Sequence, residues 1–155
     1  MLGAGGASRA VVFALATNGA ERITIAARRP ERAESVRAMA APLGNVVIDI
    51  VNIADDFDAA PDLIVNCTSA GMRHGTGEGT SPIRDDQIDP GGLVYDLVYV
   101  PPVTPLLGMA IDRGARTLGG LAMLVHQGAA AFRLWTGLDA PVGLTMARAR
   151  EALGL

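Results

Sequence analysis

Met1-Leu2-Gly3-Ala4-Gly5-Gly6-Ala7-Ser8 is the stretch on which the reading of this chain turns. It follows the pattern G-x-G-x-x-[small]. Gly3 permits a tight turn out of a strand, Gly5 lets backbone approach a pyrophosphate, and a small Ser8 lets the next helix pack close to the sheet. Such a turn leaves N–H groups free at a helix N-terminus, where the dipole favours an anion. The motif has force only in context, with a helix opening on it and a second strand about 20 residues further on. Both are expected here. Ala10, Val11, Ala14 and Leu15 recur at helical spacing within residues 7 to 18, and Asn18-Gly19 is a stop signal. Ile23-Thr24-Ile25-Ala26 then reads as a short buried strand.

The same alternation continues outward. A helix is expected from Pro30 to Ala41, with strands at 46–50, 62–66 and 93–97. A helix at 104–114, a strand at 116–118 and helices at 121–136 and 142–153 complete the series. Strands that alternate with helices imply a parallel sheet covered on both faces, and such strands read as solid aliphatic runs. The expected fold is therefore α/β: a Rossmann-like, doubly wound parallel sheet forming one domain over residues 1–155. Only Met1 and Leu2 precede the glycine turn, whereas an average strand has about five or six residues. The first, central strand is thus expected to be truncated. The segment from Ser69 to Pro90 is rich in Gly, Asp, Thr and Pro, and a loop of that length is expected to be functional or mobile.

Composition narrows the class of partner. The chain has 155 residues, half of them hydrophobic, and a formal net charge of −3. That balance disfavours nucleic acid and anionic membranes, which select clustered cations. Cys67 is the single cysteine, so an internal disulfide is excluded and a Cys-rich metal site has no ligands; no metal is expected. With no leader-like start and no apolar run of about 18 residues, the expected setting is the reducing cytoplasm.

The cations that do cluster are informative. Arg28, Arg29 and Arg32 follow the second strand, where NAD sites usually place an Asp or Glu for the ribose 2′-hydroxyl. A carboxylate would repel a 2′-phosphate, whereas guanidinium groups pair with it bidentately. Cations at a helix start also oppose the dipole, so a solvated helix end explains them less well. NADP is the expected cofactor.

Several separated blocks, taken together, make the chain resemble the C-terminal, cofactor-binding domain of shikimate dehydrogenases. They are Leu2 to Ala7, Arg28 to Ala33, Asn66 to Met72, Val94 to Tyr99 with Thr104 to Leu107, and Gly120 to Gln127. The resemblance implies that Gly3, Ala4, Gly5, Gly6 and Ala7 hold the pyrophosphate, and that Arg28 and Arg32 hold the 2′-phosphate. It further implies a wall near the cofactor from Thr68, Ser69, Gly71 and Met72, and a nicotinamide lining from Leu97, Gly120 and Met123. Tyr99 and Gln127 match positions that hydrogen-bond the hydroxylated ring acid, shikimate or 3-dehydroshikimate. The family's segment around the 2′-phosphate is Asn-Arg-Thr-x-x-Arg; Ala27 and Arg29 depart from it. Val100-Pro101-Pro102 departs from the Asn-Pro often found after the tyrosine.

Blander roles stand beside these. Met72 and Met123 also suit a core, Asp96 suits a strand end, His126 suits packing, and Cys67 suits a small buried position. No catalytic residue is assigned. The family's proton-transfer groups are a Lys–Asp pair on a preceding domain, and all 13 cations in the Lys and Arg count here are arginines. The chain is accordingly expected to be a fragment, or the product of a misplaced start, that lacks an N-terminal substrate and catalytic domain. Three other readings stay open: a quinate/shikimate dehydrogenase fragment, a non-catalytic nucleotide-binding module, and a Rossmann reductase acting on a larger carbonyl.

Overall fold

The computed structural model describes residues 1–55 and 61–155. In chain order it contains α1 (Gly6–Thr17), β1 (Arg22–Ala27), α2 (Glu34–Ala40), β2 (Val47–Asn52), β3 (Leu63–Asn66) and β4 (Leu93–Asp96). These are followed by α3 (Pro105–Asp112), β5 (Arg116–Leu118), α4 (Leu121–Thr136) and α5 (Val142–Leu153). β1 pairs with β2, and β3, β4 and β5 pair in that order; every pairing is parallel.

One residue joins the two half-sheets. Leu2 forms parallel bridges to both Ala26 and Asn66. Its N–H donates to the Val65 carbonyl at 2.8 Å, and its carbonyl accepts from the Cys67 N–H at 2.9 Å. On the other side the Met1 carbonyl accepts from Ala26 N–H at 2.9 Å, and Gly3 N–H donates to the Ala26 carbonyl at 2.8 Å. The spatial order is therefore β2, β1, the Met1–Leu2 stub, β3, β4, β5, the doubly wound arrangement that the alternation implies. Within residues 1–155 the Met1–Leu2 pair occupies the place of the first strand and is hydrogen-bonded to both halves.

Side-chain parity sorts the core onto two faces. Ile23 and Ile25 of β1 pack with Val12 of α1 and with Val36 and Ala40 of α2. Ala26, Leu2 and Ile64 pack on the opposite face with Leu106, Leu107 and Ala110 of α3. Alternate residues of a strand point to opposite faces, so each helix finds its own row of aliphatic side chains.

One local expectation changes. The helix expected from Pro30 begins as a 3₁₀ turn over Pro30–Arg32, closed by Arg32 N–H to Arg29 O at 3.0 Å and Ala33 N–H to Pro30 O at 2.9 Å. The α-helix proper starts at Glu34. Three-residue turns are common at helix starts, and this one wraps Arg28, Arg29 and Arg32 around a tight corner. The long 69–90 segment is tethered, because Ile83 and Ile88 are buried in the α3-side core.

The last two helices pair with each other and leave much apolar surface outside. Leu134 and Trp135 are 85% and 84% exposed, and Leu138 and Leu144 are exposed beside them. No helix among the described residues is long and apolar enough to cross a membrane.

Candidate functional site

The site lies where the strand order reverses, above the C-terminal ends of β1 and β3, the usual ligand position in an open α/β sheet. Gly3 adopts φ +98°, and a Cβ there would lie 2.9 Å from Thr68 Cγ2 and 3.5 Å from the Cys67 carbonyl. Only glycine meets both the positive φ and the contact with the neighbouring strand. Ser8 is fully buried, and its hydroxyl donates to Gly3 O at 2.9 Å while accepting from Gly5 N–H at 3.1 Å. Its small size was legible from the motif. Its role in clamping the turn was not, because that needs the folded loop.

A cavity of about 510 Å³ opens over this turn. Gly3, Ala4 and Gly5 floor it; Arg28, Arg29 and Arg32 stand at one side, and Thr68 and Ser69 at another. Among the described residues no carboxylate lies within ion-pair distance of those three arginines. Uncompensated guanidinium groups over a glycine cradle fit a phosphorylated ligand in charge and in backbone clearance. Gly6 and Ala7 begin α1 just outside the cavity wall.

Sequence reasoning missed the opposite wall. Thr76, Gly77, Thr80 and Ser81 of the long loop line the cavity, together with Ile53 after β2. Their only sequence signal was the small, polar composition of a loop longer than most.

Beneath the cavity, a buried polar cluster fixes the strand ends. Asp96 is fully buried; its Oδ1 accepts from Asn66 Nδ2 at 2.9 Å and Val98 N–H at 3.0 Å, and its Oδ2 accepts from Thr104 Oγ1 at 2.7 Å. Asn66 Oδ1 in turn accepts from the Thr68 hydroxyl at 2.7 Å and from Thr68 N–H at 3.0 Å. Burial pushes the Asp96 carboxyl above its ordinary range, and the bonds from Thr104, Val98 and Asn66 pull it part of the way back. Asp96 thus organises backbone. Asp96→Asn keeps the acceptor for Asn66 and Val98 but turns an amide N–H₂ toward the Thr104 hydroxyl, which already accepts from Leu107 N–H at the start of α3. The expected cost is about 1–2 kcal/mol, read as a lower midpoint in urea with an unchanged slope.

Cys67 forms part of the cavity wall. Burial pushes its thiol up to about 11, with a hydrogen bond to Ser8 opposing in part. At pH 8 its alkylation by iodoacetamide should run about a hundredfold slower than that of a free thiol, and unfolding in urea should restore the rate.

The remaining sequence-derived positions gather beyond this cavity, along β4's exit and α4. Gly120 is buried against Leu97: a Cβ there would lie 2.0 Å from the Leu97 carbonyl oxygen. Arg73 N–H donates to Val100 O at 2.8 Å, which brings the segment carrying Met72 to the one carrying Tyr99. Met72 and Tyr99 are about two-fifths exposed, at 40% and 38%. Met123 is half-buried on α4; Gln127 is exposed, its amide donating to Leu124 O at 3.1 Å. Gly71 is a packing position, since a Cβ would come within 3.2 Å of Thr104 and Pro105. None of these seven residues lines the cavity over the glycine turn.

Known proteins share this arrangement. A family model described as the shikimate 5′-dehydrogenase C-terminal domain matches residues 120–150. The shikimate dehydrogenase (NADP(+)) of Moorella thermoacetica is 45% identical over 159 residues, covering 99% of this chain and 53% of that protein. A shikimate 5-dehydrogenase structure from Thermus thermophilus, in complex with NADP(H) and shikimate, superposes with a TM-score of 0.80 at 37% identity, covering 98% of this chain and 54% of that one. Quinate dehydrogenase from Corynebacterium glutamicum in complex with NAD gives a TM-score of 0.85 at 32% identity, covering 98% and 54%. The chain spans about half the length of the curated relatives it matches. Over nearly its whole length the chain is thus similar to about half of the shikimate dehydrogenases, and its residues 120–150 match the model of their C-terminal domain.

Proposed function

We propose that this chain is the NADP-binding part of an oxidoreductase that interconverts 3-dehydroshikimate and shikimate in the cytoplasm, and that it is inactive alone. The observation that carries the reading is the cavity in which three arginines, without a carboxylate partner among the described residues, face a glycine turn. In this reading Gly3, Ala4 and Gly5, with the first turn of α1 at Gly6 and Ala7, receive the pyrophosphate on backbone N–H groups. Arg28 and Arg32 grip the 2′-phosphate, and Arg29 adds a third positive charge. Thr68 and Ser69 wall the cofactor, with Gly71 holding their loop close and Met72 beyond it. Leu97, Gly120 and Met123 make the apolar surface against which the nicotinamide lies. When bound, that ring supplies or accepts the hydride exchanged with a secondary alcohol carbon.

Tyr99 and Gln127 would orient the ring acid by hydrogen bonds to its hydroxyl groups. We assign the proton-transfer group to polypeptide outside residues 1–155. The exposed apolar face of α4 and α5, with Leu134 and Trp135 outermost, supports such polypeptide packing there.

Calorimetric titration of the 155-residue chain with NADP and with NAD tests the cofactor assignment. NADP is expected to bind at least tenfold more tightly; equal affinities would defeat it. NADPH formation from shikimate by the chain alone should be undetectable, and robust turnover would overturn the assignment of proton transfer elsewhere. One observation favours a second reading, quinate oxidation with NAD: the high TM-score to the quinate dehydrogenase bound to NAD. A preference for NAD in the same titration selects it.

A further inference from the structure

One wall of the cavity over the glycine turn has no part in the phosphate assignments. It is made by Ile53, just after β2, and by the far side of the long loop, where Thr80 and Ser81 stand. Strand order gives the ligand a direction. Leu97, after β4, lies on one side of the turn, and the arginines after β1 lie on the other. On the cofactor reading proposed above, on which this inference rests, the dinucleotide runs from β4 across the turn to β1. Its pyrophosphate is held at the turn and its 2′-phosphate at Arg28 and Arg32, so the base points onward to β2 and to Ile53.

This wall is firmly built. Ile53 N–H donates to Ala27 O at 3.2 Å, which holds its half-buried side chain beside the start of the arginine cluster. On the loop, the Gly77 carbonyl accepts from Gly71 N–H at 2.8 Å, Thr80 N–H at 3.1 Å and the Thr80 hydroxyl at 2.7 Å. A Cβ on Gly77 would lie 3.1 Å from Ala70 Cα, so the loop is pressed against the segment that follows β3.

The two hydroxyls have opposite polarity. A carbonyl can only accept, so Thr80 commits its proton to Gly77 and offers a ligand lone pairs alone. Ser81 Oγ accepts from Ile83 N–H at 3.4 Å, and no acceptor among the described residues takes the Ser81 proton. Thr80 is therefore an acceptor and Ser81 a donor, side by side on the same wall.

We infer that Ile53, Thr80 and Ser81 select adenine as the base of the bound nucleotide. Ile53 covers part of a ring face, Thr80 accepts from the exocyclic amine, and Ser81 donates to a neighbouring ring nitrogen. Adenine carries that amine donor next to a ring acceptor, whereas a 6-oxopurine carries an oxygen in place of the amine. Against Thr80 that oxygen sets acceptor against acceptor, and relief requires breaking the bond to Gly77.

The probes are NADP and nicotinamide hypoxanthine dinucleotide phosphate, in which the purine amine is replaced by an oxo group, titrated calorimetrically into the 155-residue chain. NADP is expected to bind about tenfold more tightly, the effect of one hydrogen bond replaced by two opposed acceptors. Thr80→Val keeps the side chain's shape without its acceptor and should bring NADP down to the affinity of the hypoxanthine analogue. Thr80→Ser should restore the gap between the two ligands, a result that a merely structural threonine would not give. If Thr80→Val disturbs the loop, the ligand pair and Thr80→Ser still decide the matter. Equal affinities for NADP and its analogue, with NADP still preferred to NAD, overturn this inference and leave the cofactor assignment standing. A gap that survives in Thr80→Val overturns it as well. Equal affinities for NADP and NAD defeat the cofactor assignment itself, and the inference falls with it.

Discussion

The double variant Arg28→Ala/Arg32→Ala is expected to weaken NADP binding by about a hundredfold while leaving NAD binding within a factor of two. Both side chains stand at the cavity's edge, exposed and free of carboxylate partners among the described residues. Their removal therefore leaves no buried charge behind and should not disturb folding. A charge-assisted hydrogen bond contributes about 1.5–3 kcal/mol, and the lower end suits a solvent-facing pair. Two such bonds amount to about 3 kcal/mol, and 1.4 kcal/mol is a factor of ten in affinity. NAD carries a hydroxyl where NADP carries the phosphate, so it is the internal control. Arg37→Ala, which removes a partner of Glu34 on the outer face of α2, should change neither affinity. The single Arg28→Ala should fall between wild type and the double variant, because Arg29 remains at the same mouth. Unchanged NADP affinity in the double variant would mean that the phosphate lies elsewhere.

Gly120→Ala is expected to be among the most destabilising single methyl additions in this protein. The added carbon would lie 2.0 Å from the Leu97 carbonyl oxygen and 2.4 Å from its carbonyl carbon. Backbone φ is not the reason, since Gly120 sits at φ −75°, where any residue is at ease. Close approach is the reason. Leu97 is held by its N–H bond to Asn66 O at 3.1 Å, and the start of α4 by Gly120 N–H to Val98 O at 3.2 Å. One of these must give, and overpacking of this kind costs about 1–3 kcal/mol, or more against backbone. For a domain of this size that lowers the melting temperature by roughly 5–10 °C. Gly119→Ala is the control: its Cβ would meet only Pro102 O at 3.7 Å and Leu107 Cδ1 at 4.0 Å, so it should be near neutral. Because Gly120 caps the start of α4, the variant should also shift that helix.

Most of the fold could be read from local pattern. α1, β1 and β5 were expected within a residue or so of where they lie, α1 because its helical period ends at the Asn18-Gly19 stop. The clustering of Arg28, Arg29 and Arg32 beside the glycine turn was legible because these charges contradict the helix dipole, and the structure places all three at one cavity with Gly3, Ala4 and Gly5. The 3₁₀ start at Pro30 escaped the reading, since proline is equally at home in the first turn of either helix. The cavity's outer wall escaped it as well. Thr76 and Ser81 have no periodic neighbours, and what brings them over the glycine turn is the burial of Ile83 and Ile88 at the far end of the same loop.

From residue order alone came the alternation, the parallel sheet, the glycine turn and the arginine cluster beside it, for each is written in neighbours less than about a helical turn apart. Only the folded chain could reveal that two residues, Met1 and Leu2, bind both half-sheets into one, that Ser8 clamps the turn, and that Gly120 is glycine for want of room. Those facts depend on which distant segments meet, and long-range contact is set by packing the whole core at once, not by any period along the chain.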